Sequence, residues 1–185
     1  MDAITALHSR VSHPRLAEPA PTGVHREAIF QAALRAPDHA AMRGWRFYCV
    51  EGSARAKLGK KMLAAALRRD PDMPDAARSK RLKSPLRAPL LVIATVLVRE
   101  HPKVPEIEQW LSAGAAVNNM LLAAHALGYG AMWRTGALSF DRSFMTDIGL
   151  EQNQHIVGFI YLGSAPAARK QPPVHHSSDY FLNWT

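Results

Sequence analysis

The stretch from Leu90 to Val98 reads Leu-Leu-Val-Ile-Ala-Thr-Val-Leu-Val, with Thr95 as its one polar residue. A β-branched apolar run without polar alternation has no face suited to water, so it predicts a strand covered on both sides. That single demand constrains the rest of the chain. A sheet must hold this strand near its centre, and helices must cover both faces of the sheet. From Pro89 to Val98 the apolar stretch is also about half the roughly 20 residues of a membrane-spanning helix, so no such helix is expected.

The neighbouring sequence supplies the covering layers. Pro105 to Leu127 has no proline after its first residue, is rich in Ala, Leu and Met, and predicts a helix of about six turns stopped by Gly128 and Gly130. Asp2 to Ser9 predicts a short amphipathic helix through Ala3, Ile4 and Leu7, followed by an irregular stretch holding Pro14, Pro19 and Pro21. Thr22 is expected to cap a helix from Val24 to Arg35 that turns Ile29, Ala32, Ala33 and Leu34 inward and ends at Pro37. Trp45 to Glu51 predicts a strand. Ser53 to Arg69 predicts a basic helix capped by Ser53, with Leu58, Met62, Leu63, Ala66 and Leu67 as its apolar stripe.

Asp70 to Ala88, with its prolines and the cluster Arg78, Lys80, Arg81 and Lys83, predicts a mobile surface excursion holding a turn or two of helix at most. Ala131 to Arg134 predicts a short extended piece, Phe140 to Ile148 a short helix, and Ile156 to Leu162 a second buried strand. Tyr180, Phe181, Leu182 and Trp184 end a polar tail and predict that it docks onto something. The sum is an α+β layer structure, expected as one domain over residues 1–185.

Lys plus Arg number 23 against 15 Asp plus Glu, a net +8 with histidines neutral, which points to anionic partners. Nucleic acid is one candidate, but no helix-turn-helix, zinc-finger or RNA-binding signature accompanies the charge, and aromatic residues are not interleaved with the basic run. Cys49 is the only cysteine, which excludes an intramolecular disulfide and a cysteine-based zinc site and points to a reducing compartment. Met1 to Ser9 lacks the pattern of a secretory signal, so a cytoplasmic protein is expected. His175 and His176 are the densest histidine pair, yet adjacent residues point apart, and no metal site is expected. No glycine-rich nucleotide loop follows a strand.

Three segments hold the residues fit for chemistry. Arg10, Ser12 and Arg15 place two guanidinium groups and a hydroxyl where a helix gives way to a loop, a set able to grip a phosphate or to stand as a solvated basic loop. Arg35-Ala-Pro-Asp-His39 breaks a helix and presents Arg35, Asp38 and His39 together, as a ligand-facing group or as a capped helix end. Trp133-Arg134-Thr135-Gly136 sets a cation, a hydroxyl and a glycine at a strand end, a common place for a ligand-facing turn.

In chain order these segments, with Met1-Asp2-Ala3, Arg15-Leu-Ala-Glu-Pro-Ala-Pro-Thr-Gly23, Trp45-x-Phe47, Arg87-Ala-Pro89, Lys103-Val-Pro105, Ser112-Ala-Gly114 and Ile156-Val-Gly-Phe-x-Tyr-Leu-Gly163, resemble the flavin-dependent nitroreductases. The small YdjA-type branch of NAD(P)H nitroreductases is the most similar, over nearly the whole chain. The resemblance implies a nitroreductase-like α+β fold, with a central mixed β-sheet flanked by helices and a long central helix. It further implies a homodimer with FMN at the interface and NADPH or NADH as co-substrate. Carried onto matching positions, Arg10, Val11, Ser12, Met132, Trp133 and Arg134 would meet the flavin from one subunit, and Arg35 and His39 from the other.

A nicotinamide site in this branch maps to Leu122, Ala123, Ala124, His125, Ala126 and Leu127, residues that equally suit core packing. The implied activity is reduction of a small electron-poor acceptor, such as a nitroaromatic or quinone, in two half-reactions. A flavoenzyme of the same fold with an unrelated natural substrate is the alternative. Since the cofactor carries the hydride chemistry, no catalytic side chain is named. Two departures stand out. Val11 replaces a second arginine usual in the branch, and Pro37-Asp38-His39-Ala40-Ala41-Met42-Arg43-Gly44-Trp45 replaces the Pro-Ser-x-x-Asn-x-Gln-Pro-Trp run of the wider family.

Overall fold

The structure is a computed structural model that describes residues 1–166 and 171–185. Leu90–Leu97 forms strand β2, and it lies between β1 (Trp45–Val50) and β4 (Gln154–Ser164), with β3 (Tyr129–Arg134) beyond β4. The order is β1-β2-β4-β3, and all three pairings are antiparallel. The expected mixed sheet is therefore corrected to an antiparallel one within this chain. The reason lies in the connections: β2 and β3 run the same way, joined by the long helix α5 (Glu106–Ala126), but they leave a gap that β4 fills running backward.

Alternation along β2 then sorts the core into two layers. Leu90, Val92, Ala94 and Val96 face α5 and helix α2 (Gly23–Ala33), meeting Ile29, Ala33, Val117 and Met120. Leu91 and Ile93 face the opposite layer, built by α3 (Ser53–Arg69) and α6 (Arg142–Asp147) through Leu58, Met62, Phe144 and Met145. Thr95 is buried with its hydrogen-bonding capacity met: its hydroxyl donates to the Arg46 carbonyl at 3.0 Å and accepts from Gln154 Nε2 at 2.8 Å. Both covered faces that the apolar run required are present. No helix among the described residues is long and apolar enough to cross a membrane.

Several local expectations change. Thr22 stands at the cap position of α2 without a side-chain hydrogen bond, and Leu34 is 44% exposed because the helix ends before it can turn inward. Ser53 is the first residue of α3, with Gly52 at φ +52° in the cap position. Helix α1 (Ala3–Ser9) is capped by Asp2, whose carboxylate accepts from the Thr5 amide at 3.0 Å. The predicted helix at 140–148 divides into a 3-10 turn (Ala137–Phe140) and α6, capped by Asp141.

The 70–88 excursion contains α4 (Asp75–Leu82) and a 3-10 turn (Ser84–Arg87), and both sit against α3. Gly59 explains the closeness: a Cβ there would meet the Leu82 carbonyl oxygen at 2.2 Å, so only a bare glycine lets the two backbones approach. Pro85 and Ala88 are buried below the turn. Tyr180, Phe181, Leu182 and Trp184 stay 68%, 82%, 84% and 100% exposed, so these side chains are not docked against the described residues of their own chain.

Candidate functional site

Arg134 ends β3 on the face opposite α5. Alternation puts Met132 and Arg134 on the α3 side and sends the Trp133 indole into the other layer, where Nε1 donates to the Val157 carbonyl at 3.2 Å. The Arg134 guanidinium lies 5.6 Å over the Tyr161 ring and donates through one terminal nitrogen to the Pro14 carbonyl at 3.1 Å. Its Nε is buried without a partner. Burial, and the neighbouring Arg87, hold the Arg134 pKa below the ordinary guanidinium value, although the group stays charged. Burial likewise raises the Tyr161 pKa, against the pull of Arg134, Arg87 and Arg81.

These groups edge a cavity of about 350 Å³, within the range of small-molecule sites. Helix α4 and the following turn bring Lys80, Arg81 and Arg87 to it, while Met62, Leu138 and Phe159 give it an apolar lining. Four cations and no carboxylate line it. Like charges gathered in a partly dry space repel one another, and an anion or an electron-rich carbonyl edge relieves them.

The loop after α1 joins this cavity to a second. The Arg10 guanidinium donates to Ser12 Oγ at 3.3 Å, the Ser9 hydroxyl lies 2.9 Å from His125 Nε2, and the His13 amide donates to the Ala131 carbonyl at 3.1 Å. Ser9, Val11, His13, His125, Ala126 and Leu127 edge a space of about 670 Å³ there. The bond from Arg134 to Pro14 ties the two spaces together. Of the segment 122–127, Ala124 is fully buried, whereas Leu122 and Ala123 are partly buried in the body of the helix and take no part in that space.

Arg35 and His39 lie elsewhere. His39 Nδ1 is 2.6 Å from Glu108 Oε2 near the start of α5, while His125 marks its end. Seventeen residues of helix at 1.5 Å rise separate these positions by about 25 Å. The structure thus brings Arg10, Ser12, His125, Met132 and Arg134 into one region and leaves His39 at the far end of the same helix, while Arg35 is exposed just past α2, where the Ala32 carbonyl accepts from Asn119 Nδ2 at 3.2 Å near the middle of α5.

Sequence reasoning missed Lys80, Arg81, Arg87 and Tyr161 as site residues. The first two lay in a basic run indistinguishable from a solvated surface, and Tyr161 in a strand read only as core. The available signal was Arg87-Ala-Pro89, a motif of the resemblance placed immediately before the central strand. Among the described residues no three His, Cys, Asp or Glu side chains stand together as a metal-binding group.

Comparison with known proteins matches residues 10–164 to the model of the nitroreductase family. The chain is 42% identical over 164 residues to the Escherichia coli protein named "Putative NAD(P)H nitroreductase YdjA", covering 89% of this chain and 88% of that one. Among solved structures, a nitroreductase-like family protein from Bacillus cereus superposes with a TM-score of 0.83 at 22% identity, covering 100% of this chain and 96% of that one. A nitroreductase with bound FMN from Bacteroides fragilis superposes with a TM-score of 0.74 at 21% identity, covering the whole of both chains. At these identities the two structures establish the likeness of fold.

Proposed function

Because this chain belongs to the nitroreductase family, we propose that it is an oxidoreductase that uses FMN to pass electrons from NAD(P)H to small electron-poor acceptors such as nitroaromatics or quinones. When bound, FMN supplies the hydride chemistry. The observation that carries the reading is the acid-free cavity of four cations, with the Arg134 Nε buried and unmatched. A flavin meets both needs of that space: its flat ring suits the apolar lining, and its electron-rich pyrimidine edge suits guanidinium donors.

The chain's residues divide the work by position. Arg10 and Ser12 hold the phosphate, in a loop tied to β3 through His13 and Pro14. Arg134 and Arg87 face the pyrimidine edge from the cavity wall, and Met132, on the same face of β3 as Arg134, backs that wall from the α3-side core. Trp133 serves through its backbone, since its indole is committed to the core. His125 to Leu127 serve near the phosphate end, a reading supported by their sharing the lining of the second space with Ser9, Val11 and His13. Residues 1–185 work as one domain, in the cytoplasm.

His39 enters the site only from a second subunit, because about 25 Å of helix separates it from His125 in its own chain, and Arg35, exposed past the end of α2, joins it from there. The surface of α5 supports a homodimer. Ile107 and Leu111 are 61% and 65% exposed, and Asn118 continues their stripe at helical spacing. The tail aromatics are further apolar surface for a second copy to cover.

The test is the absorption spectrum of purified protein saturated with FMN. Flavin bands that stay with the protein through gel filtration, and bleach anaerobically with NADPH or NADH, are the expected result. Protein that holds flavin but never bleaches defeats the enzyme assignment. Protein that holds none defeats the cofactor assignment.

A further inference from the structure

A second basin of about 630 Å³ adjoins the four-cation cavity on the outer side of α4. Helical spacing makes them neighbours: Met73, Ala77, Arg81 and Ser84 face the cavity, Ala76, Ser79 and Lys83 face the basin, and Lys80 stands on the ridge between. Arg87 also lines both, and Arg15 closes the far wall. Arg15, Lys80, Lys83 and Arg87 make no ion pair or side-chain hydrogen bond among the described residues. Their backbones are nonetheless held. The Leu16 amide donates to the Arg87 carbonyl at 2.8 Å, and α4 is pressed against α3 at Gly59. The result is a fixed frame of four cations with no acidic wall, opening beside the cavity in which the flavin ring is placed.

We propose that this basin seats the phosphate of a nicotinamide dinucleotide whose ring lies over the flavin, and that it makes the chain select NADPH over NADH. The inference rests on the flavin reading of the adjoining cavity. The two donors differ by one phosphate monoester, which carries about −1.5 to −2 charges at neutral pH. Of this frame Arg15, Lys80 and Lys83 are exposed and unpaired beyond the flavin, and they discriminate on that difference through attraction that salt screens. A carboxylate on the electron acceptor offers the same anionic chemistry, and the experiment separates the two sources.

The FMN-loaded protein is assayed with NADPH and NADH, using a neutral quinone and then a nitrobenzoate as acceptor. Native chain is compared with Lys83→Gln and Ser79→Glu, which alter the basin without lining the cavity. Adenosine 2′,5′-bisphosphate and 5′-AMP are titrated calorimetrically at low and high salt, with or without flavin. The native chain is expected to show a KM for NADPH about tenfold below that for NADH, and to bind the bisphosphate over AMP in a salt-sensitive way. Each variant is expected to raise the NADPH KM about two- to fivefold, the scale of one exposed charge, while FMN content is unchanged.

Equal KM values for the two donors in native protein overturn the proposal, as does a preference that survives both substitutions. A change confined to the nitrobenzoate KM assigns the basin to the acceptor and also overturns it. Failure of the flavin reading is separate, because it appears as colourless protein, in which the nucleotide titration still reports on the basin.

Discussion

Keeping the Arg134 Nε buried without a partner costs the folded chain about 1–3 kcal/mol. That cost is local, and it marks a side chain placed for a ligand more than for stability. Arg134→Met conserves much of the apolar stem and removes both the unmatched donor and the repulsion from Arg87. The flavin-free variant is expected to unfold within about 1 kcal/mol of the native chain in a denaturant titration, even though the bond to Pro14 is lost. FMN affinity, read by quenching of flavin fluorescence, is expected to fall about tenfold or more, the scale of a hydrogen bond to a charged group. A variant that destabilises the chain strongly yet binds FMN normally would make Arg134 a structural residue.

Between residues and the whole lie the elements, and α4 shows how far sequence reaches at this scale. The apolar runs of β2 and β4 were legible because both of their faces are covered, which leaves no polar alternation to confuse them. The long α5 was legible through length and composition. Helix α4 is eight residues long, polar, and buries none of them, so a one-dimensional pattern carries little of its anchorage. The anchor is Gly59 on another helix, where a missing side chain admits the Leu82 carbonyl.

The site was legible to the same degree. Arg10, Ser12 and Arg134 stood beside helix and strand ends, where function is commonly found. Lys80, Arg81 and Arg87 read as surface charge, because only the docking of α4 turns them toward a cavity. Gly59→Ala must therefore displace α4, since carbonyl and methyl cannot share the space. It is expected to cost about 1–3 kcal/mol and to lower the melting temperature. It should weaken flavin retention as well, although residue 59 lines neither of the two spaces assigned to the flavin. A chain that tolerates alanine with unchanged stability and flavin content would show that α4 is not held as described.

At the scale of the whole molecule, α5 acts as a ruler. It sets the Arg10 group at one end and the His39 group at the other, farther apart than one bound flavin would bridge with side-chain contacts at both places. On the dimeric reading each flavin draws one group from each polypeptide, so a defect in Arg10 and a defect in His39 on the same chain spoil different sites. Co-expressing Arg10→Ala chains with His39→Ala chains under separate affinity tags tests this directly. The doubly tagged species is expected to hold about one native-strength flavin per pair, whereas either parent alone holds flavin only weakly. If the mixed species retains no more than the parents, the groups do not meet across two chains. With the site shared between chains, the length of a single helix has a genetic consequence: two alleles, each crippled alone, would restore one another's function when they share a cell.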